Sequence, residues 1–197
     1  MIGNDVIDLE DLETRPGATH PRFDTRVFTE AERRLLESSD DPGRTRWVVW
    51  AAKEAAYKLA RAGNRRVVFS PPRFEVVRLE PDRAWVCWRA RRFTVDLSVR
   101  PAQIHAVARN VGPERIVVAS ACCLREDPSR AVRALAVETV AAVLGASPFE
   151  LRVERARGEP PVLLRRGRRT GAEISLSHHG RFVAFACELP PGAGWSR

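Results

Sequence analysis

Two alanine-rich helical segments, each followed by a series of strands, constrain the fold of this chain more than any other feature. The first covers residues 46–62 and the second covers residues 129–144, and a glycine follows each one. A Phe-Glu pair then appears in both places, at Phe74-Glu75 and at Phe149-Glu150. The pattern predicts two related halves, although chance similarity between amphipathic elements would also produce matches this short.

Short apolar or alternating runs predict antiparallel strands around both helices. They cover residues 2–9, 73–80, 84–89, 92–99, 103–108, 115–124, 149–155, 173–176 and 181–188. Two of the runs contain alanine and cysteine, at 116–122 and 182–187, and we interpret them as the closing strands of the two halves. We therefore expect an α+β fold with a pseudo-twofold arrangement, in which each half packs a small antiparallel sheet on a long helix.

A polar break at residues 125–129 is the natural boundary between the halves. We place the first half at residues 1–125, the second at 126–189 and a tail at 190–197.

No apolar run approaches the roughly 20 residues that span a bilayer. Residues 1–5 show no basic region followed by an apolar one, so we expect a cytoplasmic protein without a membrane partner. The four cysteines lack metal-ligand spacing and are interpreted as reduced core thiols.

The formal charge of +8 favours an anionic partner. Nucleic acid, a phosphate-bearing small molecule and an acidic protein would all fit, and a solvated basic surface would carry the same charge. Of the 33 lysine and arginine residues, only Lys53 and Lys58 are lysines. Guanidinium cannot replace a compact ammonium where a point charge or a proton-transfer group is needed. The two lysines therefore indicate a functional site.

Two carboxylates are candidates for a metal site. Glu54 lies on the first long helix between the two lysines, and shares a helix side with Trp50 and Lys58. Asp5 lies in an apolar strand, where an ionised group is costly without a partner. A Mg²⁺ ion shared by Asp5 and Glu54 would provide one, because this ion is usually held by one or two carboxylates, waters and phosphates. A surface Glu–Lys pair is the simpler interpretation of Glu54. Asp8 faces the other way and is expected at the surface or in a cap.

Residues 175–181, Ser-Leu-Ser-His-His-Gly-Arg, form a second polar cluster between two strands. Hydroxyl, imidazole and guanidinium groups together suit a phosphate, and an ordinary polar hairpin is the alternative. His178 is the better site candidate of the two histidines.

Glu32 follows Thr29 at capping-box spacing, and a capping role would fully explain a glutamate at this position.

Together these segments resemble the 4'-phosphopantetheinyl transferase superfamily. The family's Gly-x-Asp strand resembles residues 3–9, and its Trp-x-x-Lys-Glu-Ala-x-x-Lys motif resembles residues 50–58. Residues 28–32 and 174–186 resemble its short helix start and its Ser-His segment. The resemblance implies transfer of phosphopantetheine from coenzyme A to a carrier-protein serine, releasing adenosine 3',5'-bisphosphate.

The resemblance also implies roles for individual residues. Asp5 and Glu54 would hold Mg²⁺, Lys58 would neutralise or protonate the leaving phosphate, and Glu32 would deprotonate the serine, directly or through water. The residues expected to bind coenzyme A are Lys53, Ser177, His178 and Arg181. We expect an acidic apo acyl or peptidyl carrier protein as partner and no nucleic acid. An inactive homologue that binds coenzyme A or RNA is the alternative.

Three departures from the family pattern stand out. Ile7 replaces an acidic residue of the surfactin-synthetase-activating type, and Glu159 replaces the lysine of a Gly-Lys-Pro motif. The order of the halves is also reversed: residues 1–125 resemble the C-terminal half of that type, and residues 126–189 its N-terminal half. We therefore expect a circularly permuted monomer with one active site between its halves. A trimer of the holo-acyl-carrier-protein synthase type, with a long insertion, is the competing arrangement.

Overall fold

The computed structural model describes residues 1–110, 115–124, 127–156 and 158–191. Its helices are α1 (Phe23–Val27), α2 (Glu30–Glu37), α3 (Pro42–Gly63) and α4 (Pro128–Leu144). Five strands precede residue 111: β1 (Ile2–Asp8), β2 (Glu75–Glu80), β3 (Arg83–Trp88), β4 (Arg91–Val99) and β5 (Gln103–Arg109). Five follow: β6 (Arg115–Cys122), β7 (Leu151–Glu154), β8 (Val162–Arg165), β9 (Arg168–His179) and β10 (Phe182–Leu189). Most of the predicted tail lies outside the described residues.

The ten strands form two antiparallel five-stranded sheets with the same topology. The strand order is β1-β5-β4-β3-β2 in one sheet and β6-β10-β9-β8-β7 in the other. A long helix follows the first strand of each sheet, α3 in one and α4 in the other. The expected α+β fold of two related halves is therefore confirmed.

The register of the strands supports the same correspondence. Arg109 at the end of β5 pairs with Thr94 of β4, and Glu188 near the end of β10 pairs with Glu173 of β9. These two pairs can be aligned with each other. Leu97-Ser98 of β4 then falls on Leu176-Ser177 of β9. An identical dipeptide at the same register position in both sheets is the pattern that a duplicated unit would produce.

The interpretation of the two alanine- and cysteine-containing strands was wrong. They do not close different halves, because β6 and β10 pair with each other in the second sheet. β6 is the counterpart of β1, and β5 is the counterpart of β10. The chain thus passes from the first sheet to the second between β5 and β6, before the boundary predicted at residue 125. The sequence also missed β8 and the start of β9, which are joined by a turn in which Arg166 and Gly167 both have positive φ.

Small residues let α3 lie close to the first sheet. Ala51, Ala55 and Leu59 are fully buried on its packed side. A Cβ atom added at Gly3 of β1 would lie 2.2 Å from the carbonyl oxygen of Ala55, so only glycine fits there. This close approach brings the strand that carries Asp5 next to the helix that carries Glu54.

The two halves meet where β1 runs beside β9. β1 is an edge strand, so alternate N–H groups on one side have no partner in its own sheet. Ser175 Oγ accepts from the N–H of Asn4 at 3.0 Å, Ser177 Oγ from that of Val6 at 3.3 Å, and His179 Nδ1 from that of Asp8 at 3.0 Å. Ser175, Ser177 and His179 are every second residue of β9, and the N–H groups that they bind are those of every second residue of β1. Among the described helices, none is both long and apolar enough to cross a bilayer.

Candidate active site

A cleft of about 320 Å³ lies at the junction of the two halves. It is lined by residues of β1, α3, α4 and β9 and by Arg155, which follows β7: Asp5, Val6, Ile7, Trp50, Glu54, Lys58, Ser129, Val132, Arg133, Arg155, Leu176, Ser177, His178 and His179. A larger cavity of about 580 Å³ beside Thr14 and Trp47 contains none of the predicted site residues. We place the site in the smaller cleft because the charged groups converge there.

Asp5 is the centre of the polar contacts in this cleft. Its side chain is almost completely buried, at 7% exposure of the residue. Its Oδ1 atom accepts hydrogen bonds from Lys58 Nζ at 2.7 Å and from Ser177 Oγ at 2.9 Å. Lys58 Nζ also donates to Ser177 Oγ at 3.3 Å. A strand, a helix and the opposite half of the chain thus meet at one carboxylate.

Glu54 lines the same cleft, one turn before Lys58 on α3. Burial and, to a smaller extent, the negative charge of Asp5 raise the pKa of Glu54 to about 7, while Lys58 opposes the shift. Two carboxylates therefore share one ammonium group, and Glu54 is costly to ionise without another cation. The donor set fits Mg²⁺, because this ion prefers carboxylate oxygens with positions left for water and phosphate.

The opposite wall of the cleft is cationic and includes residues that the sequence analysis missed. Arg133 of α4 donates to the carbonyl oxygen of Ser129 at 2.5 Å and to its Oγ at 2.6 Å. Arg155 donates to the carbonyl oxygen of Glu159 at 3.0 Å. Within the described residues, neither arginine is ion-paired with a carboxylate, and exposed His178 stands beside them. In a chain so rich in arginine, nothing in the sequence distinguishes these two.

The structure does not bring Lys53 and Glu32 to the cleft. Lys53 is fully buried on the other side of α3, because consecutive helical residues point about 100° apart. Its Nζ atom contacts Glu32 Oε2 at 2.5 Å. Burial lowers the pKa of Lys53, and the charge of Glu32 opposes that shift. Glu32 also accepts from the N–H of Thr29 at 2.8 Å, which completes the predicted capping box. Neither side chain lines the cleft.

Arg181 is also absent from the lining of the cleft. Its guanidinium group forms a bidentate pair with Asp8, with Nε–Oδ2 and Nη2–Oδ1 distances of 2.8 Å, and contacts Glu10 at 2.7 Å. Of the two positions expected for Asp8, the surface is wrong, because Asp8 is only 1% exposed. The capping alternative agrees with its contacts, since Asp8 Oδ1 accepts from the N–H of Glu10 at 3.0 Å. Hydrogen bonding to Arg181 holds the pKa of Asp8 at about 2. Gly180 permits this contact, since a Cβ atom there would lie 2.6 Å from Asp8 Oδ2. Arg181 thus joins the halves beside the cleft.

Comparison with known proteins agrees with the geometry. No curated protein matches the chain significantly. A family model described as the 4'-phosphopantetheinyl transferase superfamily matches residues 1–118, which is more than half of the chain. The matched region contains Asp5, Glu54 and Lys58. Taken with the two-half α+β fold, this match shows that the chain belongs to the 4'-phosphopantetheinyl transferase superfamily.

Proposed function

We propose that this protein uses Mg²⁺ to transfer the 4'-phosphopantetheine group of coenzyme A to a serine of an apo acyl or peptidyl carrier protein, releasing adenosine 3',5'-bisphosphate. The observation that carries the proposal is the meeting of Asp5, Glu54 and Lys58 with Ser177 and His178 in one cleft. Carboxylates on one wall and cations on the other match a metal-bound pyrophosphate. The proposed partner carriers are acidic, which suits a chain with a formal charge of +8.

Asp5 and Glu54 would hold the metal. When bound, Mg²⁺ would neutralise pyrophosphate charge and so favour departure of the nucleotide phosphate. Lys58 now donates to Asp5, and the same ammonium group can donate to a leaving phosphate in the cleft. In phosphoryl transfer, such positioning and charge neutralisation account for most of the catalysis.

Ser177, His178, Arg133 and Arg155 would hold the phosphates of coenzyme A. The two arginines have no carboxylate partner among the described residues, so they are available to an anion. Glu159, which stands in place of the family's lysine, is ion-paired with Arg65 of the other half. Its negative charge is therefore compensated, and Arg155 provides a cation close by. Lys53, Glu32 and Arg181 have no direct role in the proposal because they do not line the cleft.

A monomer suffices for this site. Residues of both halves of a single chain line the cleft, so no second copy has to complete it. We propose that the chain acts as a pseudo-dimer with its halves in permuted order. Its mass in solution should equal that of one chain, and an obligate trimer with shared sites would contradict the arrangement.

A direct test is to incubate the protein with coenzyme A, Mg²⁺ and apo carrier proteins of the fatty-acid, polyketide and peptide types. Intact-mass measurement should show that at least one carrier gains a single phosphopantetheine group. Glu54→Ala should lose this activity while keeping its circular dichroism spectrum, and Glu37→Ala, which removes an exposed carboxylate of α2, should not. Absence of any mass gain would favour a module that only binds coenzyme A or RNA.

A further inference from the structure

The buried contact between Lys53 and Glu32 has no place in the proposed chemistry, yet it is unusual in the fold. Both side chains have 0% exposure, and they are ion-paired at 2.5 Å. The pair lies in the apolar core of the first half, with Lys53 Nζ 5.5 Å from the centre of the Phe28 ring. Replacing such a pair with apolar residues is often neutral or stabilising, so stability alone is a weak reason for its presence.

Glu32 connects three elements through one carboxylate. Oε2 accepts from Lys53 of α3 and from the N–H of Thr29 at the start of α2. Oε1 accepts from the N–H of Val76 in β2 at 2.7 Å. Each of these bonds has a defined direction, and together they leave Lys53 little freedom to move.

The packing of α3 explains why a directional bond matters there. Around Glu54 the buried side of the helix is formed by Ala51, Ala52, Ala55 and Ala56, all with 0% exposure. Methyl groups form a smooth surface that interlocks with the sheet less than larger side chains do. Apolar packing alone thus fixes how closely α3 lies on the sheet, but it fixes the rotation of α3 about its own axis less firmly. Lys53 precedes Glu54, so the bond that holds Lys53 also determines where Glu54 points.

We propose that the Lys53–Glu32 pair is a positioning device that sets the rotation of α3 and thereby holds Glu54 at the correct distance from Asp5 on the same wall of the cleft. This inference rests on the proposed metal role of Asp5 and Glu54. Glu32 and Lys53 are positioning residues in this scheme, since they act through the helix and touch no substrate.

The test compares the double variant Glu32→Gln/Lys53→Met with the unmodified protein. Gln retains an acceptor for the N–H of Val76, and Met retains the volume of Lys53 without its charge. The double variant should fold with a similar melting temperature. Its affinity for Mn²⁺, measured by calorimetry, should fall about tenfold or more. The turnover number should fall with it, while KM for the carrier should stay within about twofold. Unchanged Mn²⁺ affinity and turnover would overturn the proposal.

A second variant covers the case in which the double variant does not fold. Glu32→Asp keeps the charge of the pair but shortens the side chain by one carbon, which should draw α3 out of position and weaken Mn²⁺ binding several-fold. Mn²⁺ affinity equal to that of the unmodified protein would overturn the proposal. Glu54→Gln separates this outcome from failure of the proposed function. If Glu54→Gln binds Mn²⁺ normally, the metal assignment itself is wrong, whatever the result at Lys53.

Discussion

The two halves of the molecule share a topology but not a chemistry. Aligning β5 with β10 places Ala119 of β6 where β1 carries Asp5. Aligning the buried positions of α4 with those of α3 places Leu135 and Thr139 where α3 carries Glu54 and Lys58. The second half therefore has the same framework without the carboxylates or the ammonium group.

The polar cluster at residues 175–181 shows the reverse difference, because here the second half has polar residues that the first half lacks. The register that places Ser98 on Ser177 also places Val99 of the first half where the second half has His178. Each half thus contributes one wall of the cleft, and neither contains both. The two halves therefore repeat the fold, but they do not repeat the residues of the candidate site.

Asp5→Asn should cause the largest effect, because it removes the charge at which three elements meet. We expect turnover to fall at least about 100-fold, since removal of a metal-ligating charge typically costs several kcal/mol. Steady-state kinetics with an apo carrier would measure it. Asp96→Asn is the matched control, because Asp96 is a strand carboxylate outside the cleft, paired with Arg83 and Arg109. Equal losses in both variants would show that the effect does not depend on the cleft, and would remove the carboxylate by which the first half differs from the second.

Ser177→Ala should have a smaller effect of about tenfold, in line with the loss of one hydrogen bond to a charged group. The hydroxyl donates to Asp5 and accepts from the N–H of Val6, so both metal affinity and turnover should fall. Its counterpart Ser98 is exposed, and Ser98→Ala should stay within about twofold of the unmodified protein. A measurable loss in Ser98→Ala would mean that the counterpart position in the first sheet also contributes to function.

Acid stability should depend on the Asp8–Arg181 pair, which has no equivalent at the matching position of the second sheet, where Cys122 replaces Asp8 by register. The pKa of Asp8 is lowered to about 2 in the folded protein from the ordinary value of 3.8. Its stabilising contribution is thus complete above pH 3.8 and disappears as the pH falls through about 2.

Melting curves between these pH values would measure that contribution. Asp8→Asn should melt several degrees lower at neutral pH and lose less stability on acidification than the unmodified protein. A conservative change at the matching position, Cys122→Ser, should alter neither property, because Cys122 is exposed. An acid response that is the same in Asp8→Asn and in the unmodified protein would assign the effect to other groups.

Ala119→Asp should have the smallest effect, since it restores only one element of the site in the second half. Leu135 and Thr139 would still provide neither a second carboxylate nor an ammonium group. We expect calorimetry to show one Mn²⁺ ion per chain before and after the substitution. A second bound ion would mean that the two halves differ less in metal binding than their residues indicate.

Local sequence accounted for much of the fold and for part of the site. The alanine-rich helices, the capping box at Thr29 and Glu32 and most strands follow from periodicity and end signals that operate over a few residues. Asp5 stood out as a carboxylate in an apolar strand and Glu54 through its two lysine neighbours. Arg133 and Arg155 did not stand out, because arginine is the common cation of this chain.

Other assignments depended on which side of an element faces the cleft. Lys53 and Glu54 are neighbours in sequence, but the helix directs one into the core and the other into the cleft. Ser175 and His179 bind N–H groups of a strand 171 residues away, so their partners could not be found by local spacing.

The sequence by itself determined most of the elements and the residue types available for metal and phosphate chemistry, because these depend on local propensity and on composition. The tertiary structure alone decided which of those residues meet. Pairing of β6 with β10, the contact of β1 with β9 and the burial of Lys53 with Glu32 all involve distant segments of the chain. Such contacts are set by the packing of whole sheets and helices, and that packing forms the candidate cleft, with one acidic and one basic wall, between two similar halves.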